Sequence, residues 1–514
     1  MGEAKTRELV LRKQVVETLG LETVSGALKV RWDDNAHATA LGQMAFFIEF
    51  LTATGLFDQW VADCPLNYKS PNGSSSRDIL GTWMLSILSG HWRYAHVSAM
   101  RADAVNPGLL GMSGVVAEDT LRRGLKAIDE KLGTEWLSHH IGRTVLGLLD
   151  APWILDVDVT IKPLYGKQQG AVVGYNPHKP GRPSHAYHSY QVSGLRLMLG
   201  VDVLAGNESH ANHTLPGLLN ILDGLAANKR PQLVRGDAGL AGEPMLRALE
   251  ERGQHYLFKL RLTTNVKRYV EKLFWEQGWN KAGQGWEGKN GELRLDGWSR
   301  ARRVMVLRRS LRGEALLADE SQGVLGFVEA NVAAKRYEYA VLVTDLGHEL
   351  LTIAQLYRDR GDSENTFDEL KNQWGWGGFT THDLARCRLS AMAVALVYNW
   401  WSLFVRLGNP KARLEAITSR PFLLSAVARQ TTHGGAKQLT ITSQHAEKDK
   451  AKSLLTGIHA LMNRFKVAAE QFKTKSVWQL VCEHILTTVA RFRSKFPNLL
   501  ASPTLALAPV NSRF

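Results

Sequence analysis

Four residues in one short run have the side chains to act on phosphates: Tyr357, Arg360, Glu364 and Lys371 in YRDRGDSENTFDELK, residues 357–371. Wound as a helix at about 100° per residue with Tyr357 at zero, Arg360 falls near ~300°, Glu364 near ~340° and Lys371 near ~320°. One stripe would then carry a phenol, a guanidinium, a carboxylate and an ammonium. A carboxylate flanked by cations can hold a metal ion together with the phosphates it acts on; the bland alternative is a solvated helix face with ordinary charge pairs. Metal-assisted phosphoryl chemistry also wants further carboxylates as hard oxygen ligands, with room left for water and substrate. Two acids at strand ends meet that demand. Asp158 lies in WILDVDVT, and Asp237 closes QLVRGD, where α/β sheets present their functional groups. Asp156 shares a strand face with Asp158 and is its rival. The separations, 237 − 158 = 79 and 364 − 237 = 127, are so long that only the fold can bring the three acids together.

The elements that position them are legible in outline. Residues 1–150 read as a helical region: Ala38–Val61 has helical apolar spacing broken by Gly42 and Gly55, and Ser75 with Asp78 forms a capping box for Ile79–Leu88. EDTLRRGLKAIDEKL, with Arg122, Arg123 and Lys126, is compatible with a helix-turn-helix DNA-binding module or with a plain helical bundle. Residues 151–261 change to strands and helices in the order strand, strand, strand, helix, strand, helix, strand, which predicts a mixed α/β sheet with an antiparallel and a parallel half. Residues 262–345 are rich in Trp, Arg and Gly and read as an inserted β-rich subdomain. Residues 346–410 return to the core with the Glu364 helix, the turn QWGWGGF and the uncharged run Leu389–Val405. At 17 residues, with Asn399 inside, that run predicts a buried helix on a sheet rather than a membrane span. Residues 411–514 read as a helical C-terminal region with a frayed tail, ALAPVNSRF.

Bulk properties narrow the partners. The chain has 514 residues, a net charge of +14 and a pI of about 9.6, for which a nucleic acid is the simplest counterpart. Three scattered cysteines, Cys64, Cys387 and Cys482, form no disulfide framework and fit a reduced cytoplasmic compartment. The histidines His178, His185, His188, His210 and His213 match no standard metal spacing. There is no GxxxxGK[ST] loop for a nucleotide and no G-x-S-x-G elbow for a serine hydrolase.

The run Tyr357-x2-Arg360-x3-Glu364-x6-Lys371 resembles the Tyr-Arg-Glu-Lys signature of bacterial insertion-sequence transposases with an Asp-Asp-Glu (DDE) catalytic core. LDVDVT followed by GKQQGA, then AGNESHANH, then VRGDAGL, resemble the family's other segments in family order, over about residues 153–371. The resemblance implies an RNase H-like core with Asp158 and Asp237 on adjacent central strands and Glu364 on the helix after the insertion. It implies that Asp158, Asp237 and Glu364 bind two Mg²⁺ ions, with Mn²⁺ as substitute, for two-metal-ion cleavage and strand transfer. Tyr357, Arg360 and Lys371 would hold phosphates of the transposon end. The implied partners are double-stranded DNA, as terminal inverted repeats and target, and a second copy in a synaptic homodimer at the bacterial nucleoid. Hairpin formation on the transposon end needs an extruded base, for which Trp286 and Trp298 are candidate stacking rings, ahead of Trp275 and Trp279. A transposase-derived DNA-binding regulator without cleavage is the alternative. Gly361 departs from the signature and costs a helix roughly 1 kcal/mol, which favours leaving Tyr357 and Arg360 on a turn before the helix.

Overall fold

A computed structural model describes residues 18–66, 73–149, 153–176, 179–208, 210–311, 337–411, 413–443 and 447–493. The C-terminal tail and His178 lie outside these residues. The strands, in chain order, are β1 Leu19–Thr23, β2 Gly26–Val30, β3 His37–Thr39, β4 Ile154–Pro163, β5 Val172–Val173, β6 Pro183–Val192, β7 Leu197–Ala205, β8 Leu233–Gly236, β9 Tyr256–Lys259, β10 Asn280–Gly283, β11 Trp286–Leu293, β12 Arg302–Ser310, β13 Tyr337–Thr344, β14 Ala428–His433 and β15 Ala436–Ile441.

Ten of them make one mixed sheet. β4 pairs antiparallel with β6, and β6 with β7 and β5; on its other side β4 runs parallel to β8, and β8 parallel to β9. The parallel strands are joined through the His210–Gly224 and Glu243–Glu251 helices, which supply the crossovers that such pairing needs. This matches the expected mixed α/β order. The β-rich insertion does not stand apart as a subdomain. β13 pairs antiparallel with β9, and β12, β11 and β10 follow, so the insertion extends the same sheet. Its edge-ready hydrophobic strands find backbone partners on β9, the otherwise unpaired end of the parallel half.

The sheet is covered on both faces. Ile353, Ala354 and Leu356 of the Leu350–Arg358 helix pack with Leu233, Leu257, Met305 and Leu342 on one side, while Val234, Phe258, Val304 and Val341 join the larger core on the other. The apolar run forms the Leu384–Gly408 helix, which packs on β7 and on the Glu130–Leu146 helix and is mostly buried. Asn399 explains its place there. Its Oδ1 accepts from Met198 N (2.8 Å) and its Nδ2 donates to Met198 O (2.7 Å), completing the backbone bonding of β7. Asn399→Leu should therefore destabilise the protein by about 1–3 kcal/mol per orphaned backbone group, read by urea unfolding; an unchanged midpoint would show that water replaces the amide.

The flanking regions are less purely helical than expected. β1 and β2 form a hairpin, and β3 pairs with β14, which pairs with β15, so residues near both ends of the chain share a three-stranded sheet. Short strands with charged and polar residues (HAT, ARQTTH, AKQLTI) carry no strong period-2 apolar signal, and only tertiary pairing selects them. The Ala38–Val61 segment is two helices, Met44–Thr54 and Leu56–Ala62, with Gly55 left-handed between them (φ 68°). The Ser75 cap is present, its hydroxyl accepting from Asp78 N at 3.0 Å. Asp78 does not close the box; its carboxylate accepts from Ser113 N instead (2.7 Å). In the Ser76–Leu88 helix every residue from Asp78 to Leu88 is buried, so it is a core helix, not one free to enter a DNA groove.

Candidate active site

The register of β4 against β8 builds the centre of the site. Ile154 pairs with Leu233, Asp156 with Arg235 and Val157 with Gly236, an offset of 233 − 154 = 79. Asp158 and Asp237 differ by the same 79 positions, so they occupy the next rung, one step past the end of the paired segment. Strands lie about 4.8 Å apart in that direction, which sets the two carboxyl-bearing residues side by side where β8 ends and its chain turns away. Asp237 is exposed and its Oδ1 accepts from Gly239 N (2.6 Å), fixing the turn.

Asp156 and Asp158 share a face but not a role. Asp156 is buried and takes a bidentate pair from Arg235, Nε to Oδ1 at 2.7 Å and Nη2 to Oδ2 at 2.8 Å. Arg235, fully buried, also donates to Ser193 Oγ (2.8 Å) and to the Leu356 carbonyl. Ser363 Oγ donates to Asp156 Oδ2 (2.8 Å). With both oxygens committed, Asp156 is a scaffold residue. Asp158, by contrast, interacts with Arg360 and lies near Asp237 and Glu364.

The run 357–371 is not one helix. The Leu350–Arg358 helix ends and the Gly361–Gln373 helix begins within three residues, with Arg360 as the N-cap of the second. The step stays right-handed (Asp359 φ −63°, Arg360 φ −65°), with Arg360 N bonded to Tyr357 O (3.1 Å) and Ser363 N to Arg360 O (2.8 Å), a tightened turn. Gly361 at the first helical position is its cause in the sequence. Leu356 before the break and Ser363 after it are both tied to the Asp156–Arg235 pair, so the break is pinned to the sheet.

The break aims Arg360 inward. Its Nη2 lies 2.5 Å from Asp158 Oδ2 and its Nη1 3.5 Å from Glu364 Oε1. Burial pushes the Asp158 carboxyl up to about 6; Arg360 opposes this, while the negative Asp237 and Glu364 reinforce it. Burial also raises the Tyr357 phenol to about 12, with Arg360 opposing and the same three acids adding to the rise. Burial lowers Lys371, and Asp158 opposes that. All six residues of the expected set thus interact across one site. Glu364, like Asp237, is exposed, and other acids of its helix turn elsewhere: Asp362 pairs with Arg196 (2.6 Å), and buried Glu369 with Arg413 and with the indole of Trp374 (3.2 Å).

Among the described residues no three His, Cys, Asp or Glu side chains close to metal-ligand spacing. The positive charge between Asp158 and Glu364 is the Arg360 guanidinium. The donor set nonetheless suits a hard divalent cation, being all carboxylate oxygen.

The tryptophan expectations change. Trp298 is 6% exposed, in the core, with Arg302 over its ring at 5.0 Å. Trp286 starts β11 directly after the tight turn Gln284-Gly285, half-buried, with Arg309 over its ring at 4.9 Å. Both indoles are occupied by packing and by arginines, because the insertion is sheet rather than loop. His185 and His188 are buried on β6, their rings bonded to Gln169 O (2.8 Å) and Thr214 Oγ1 (2.7 Å), and His213 pairs with Glu208 (2.6 Å). The sequence reading missed Arg235 and Lys162. The second was within reach, since Asp158, Thr160 and Lys162 alternate onto one face of β4.

No curated protein matches the chain. Among solved structures, a cryo-EM structure of a piggyBac transposase synaptic complex with hairpin DNA is similar at a TM-score of 0.38 and 11% identity, over 87% of this chain and 85% of that one. Residues 150–400, the stretch that holds Asp158, Asp237, Glu364, Tyr357, Arg360 and Lys371, match the family model described as Transposase DDE domain.

Proposed function

We propose that the chain is the transposase of an insertion sequence, with an RNase H-like core that binds the element's terminal inverted repeats and cuts and rejoins DNA. One observation carries the reading: Asp158 and Asp237 each directly follow the last paired rung of β4 and β8, Val157 with Gly236, and interact with Glu364 around a single buried arginine. The order of the strands, three antiparallel followed by two parallel, supports the core type. In this reading Asp158, Asp237 and Glu364 hold Mg²⁺, or Mn²⁺ in its place. Such ions, when bound, activate a water or a 3′-hydroxyl and stabilise the leaving oxygen of an in-line displacement. The chain's own cations do the positioning. Arg360 neutralises Asp158 in the DNA-free protein and is the fork suited to a bidentate phosphate clamp once Asp158 has another partner. Lys371 supplies a point charge beside it, and Tyr357 a hydroxyl kept protonated at neutral pH. The net charge of +14 suits double-stranded DNA, both element ends and target, gathered by a homodimer. A regulator that only binds DNA has no use for the three acids, and all three are here.

The test is direct. A supercoiled plasmid carrying the DNA from both sides of the gene should be nicked at the repeat ends by the full-length protein with Mg²⁺ and left intact with EDTA. Specific binding with no Mg²⁺-dependent cut would leave the regulator as the answer. Metal binding should also depend on pH. An ordinary aspartate keeps its proton only below about 4, whereas Asp158 keeps it up to about 6. Because the ligand form is the carboxylate, Mn²⁺ affinity measured by calorimetry should fall as pH drops from 7.5 through 6. Equal affinity at pH 7.5 and 5.5 would place the ion away from Asp158.

A further inference from the structure

A pocket of about 560 Å³ opens beyond the far end of β4, lined by Trp92–Ala95, Arg122, Lys162–Gly166, Gln168 and Gly377–Thr380. That is enough volume for a nucleotide. Three of its lining residues are cations and none is an acid. Lys162 is buried, and its ammonium donates only to neutral groups: Thr380 Oγ1 (2.8 Å), the Gly378 carbonyl (3.1 Å) and Tyr187 Oη (3.4 Å). Burial without a counter-charge lowers it to about 8, the condition that a bound anion reverses. Arg93 is exposed and forms no ion pair among the described residues, whereas Arg122 is shared with Glu118 (2.7 Å). Lys179 and Arg182 add charge at the rim, where both sit against the Tyr165 ring.

The aromatic content is equally specific. Trp92 is 52% exposed and Tyr165 69% exposed. Trp92 is not loosely held, because the QWGWGGF turn locks its backbone. Phe379 N donates to the Trp92 carbonyl (2.7 Å), and a Cβ on Gly378 would come within 2.2 Å of that same oxygen. Phe379 itself is held left-handed at φ 49°, a strained conformation for a bulky residue. That strained turn presents both the Gly378 carbonyl and the Thr380 hydroxyl to Lys162. A rigid exposed indole beside unneutralised cations is the pattern that binds single-stranded nucleic acid, base on ring and phosphate on charge. The pocket also has a route to the acids. Lys162 lies four residues along β4 from Asp158 on the same face, about 13 Å away.

We propose that this pocket holds an unpaired nucleotide of a DNA strand running along the β4 face, its base on Trp92 and its phosphates on Lys162, Arg93 and Arg122. The proposal rests on the reading of the chain as one that handles DNA, but not on the roles of the three acids. The test uses the full-length protein and a short oligothymidine containing 2-aminopurine, as a single strand and annealed into a duplex. The single strand should bind with quenched 2-aminopurine emission. Trp92→Ala should lose the quench and about tenfold in affinity for the single strand, with duplex affinity unchanged. Arg93→Ala should lower the slope of log K against log salt by about 0.7. Unchanged quenching in Trp92→Ala, or equal losses for single strand and duplex, overturns the proposal. A protein that quenches through Trp92 but never cuts DNA keeps this site and loses the transposase reading; one that cuts while Trp92→Ala is silent does the reverse.

Discussion

Asp158→Asn, Asp237→Asn and Glu364→Gln should each reduce Mg²⁺-dependent nicking at the element's ends by more than about 100-fold, the range that loss of a mere supporting partner of a metal ligand reaches. Binding to the ends should persist, because the cations proposed to contact phosphate are untouched. The amides keep shape: an Asn at 158 retains one acceptor oxygen, for Val159 N or for Arg360, and Glu364 is mostly exposed. Folding should therefore survive, and urea unfolding run beside the nicking assay separates lost chemistry from lost structure. Full cutting by Asp158→Asn would remove Asp158 from the site, and with it the argument from the shared rung.

Arg235→Met should have the largest effect on stability, about 3–5 kcal/mol, because it strands Asp156 as a buried charge with Ser363 as its remaining partner. Its consequence should extend past stability. Arg235 holds the Leu356 carbonyl and, through Asp156, the Ser363 hydroxyl, the two sides of the break that aims Arg360. Nicking should therefore fall even at low temperature where the variant is folded, while Asp158→Asn loses nicking with little change in unfolding midpoint. A double change of Asp156→Leu with Arg235→Met removes both charges and should recover much of the stability, since a buried pair is replaced by apolar volume. If it recovers nicking as well, the pinning of the break has no functional role.

Much of the core was legible because its signals are local. Alternation in WILDVDVT, the apolar HYLFKL and the helical spacing between them give the strands and their order, since each side chain's face follows from a period of 2 or 3.6. The buried helix over 389–405 followed from its length and from Asn399, though not the β7 backbone that Asn399 completes. The break at Arg360 was readable from Gly361. The β character of the insertion was readable but its place was not: in the protein β13 pairs with β9, so the insertion continues the core sheet, and arginines lie over its indoles.

The candidate site shows where local signals stop. The sequence by itself determined that Asp158, Asp237 and Glu364 are present, that Asp237 closes a strand, and that 79 positions separate the first pair; β4 runs on to Pro163, which puts Asp158 in mid-strand and not at the expected end. Only the tertiary structure decided that 79 is also the register offset of β4 against β8, which turns a number without meaning into one shared rung. It likewise decided that Asp156 is held by Arg235, its partner in register, whereas Asp158 meets Arg360. The physical reason is that a parallel ladder pairs residues by backbone geometry across a crossover, and no side-chain pattern along one strand encodes the position of its neighbour.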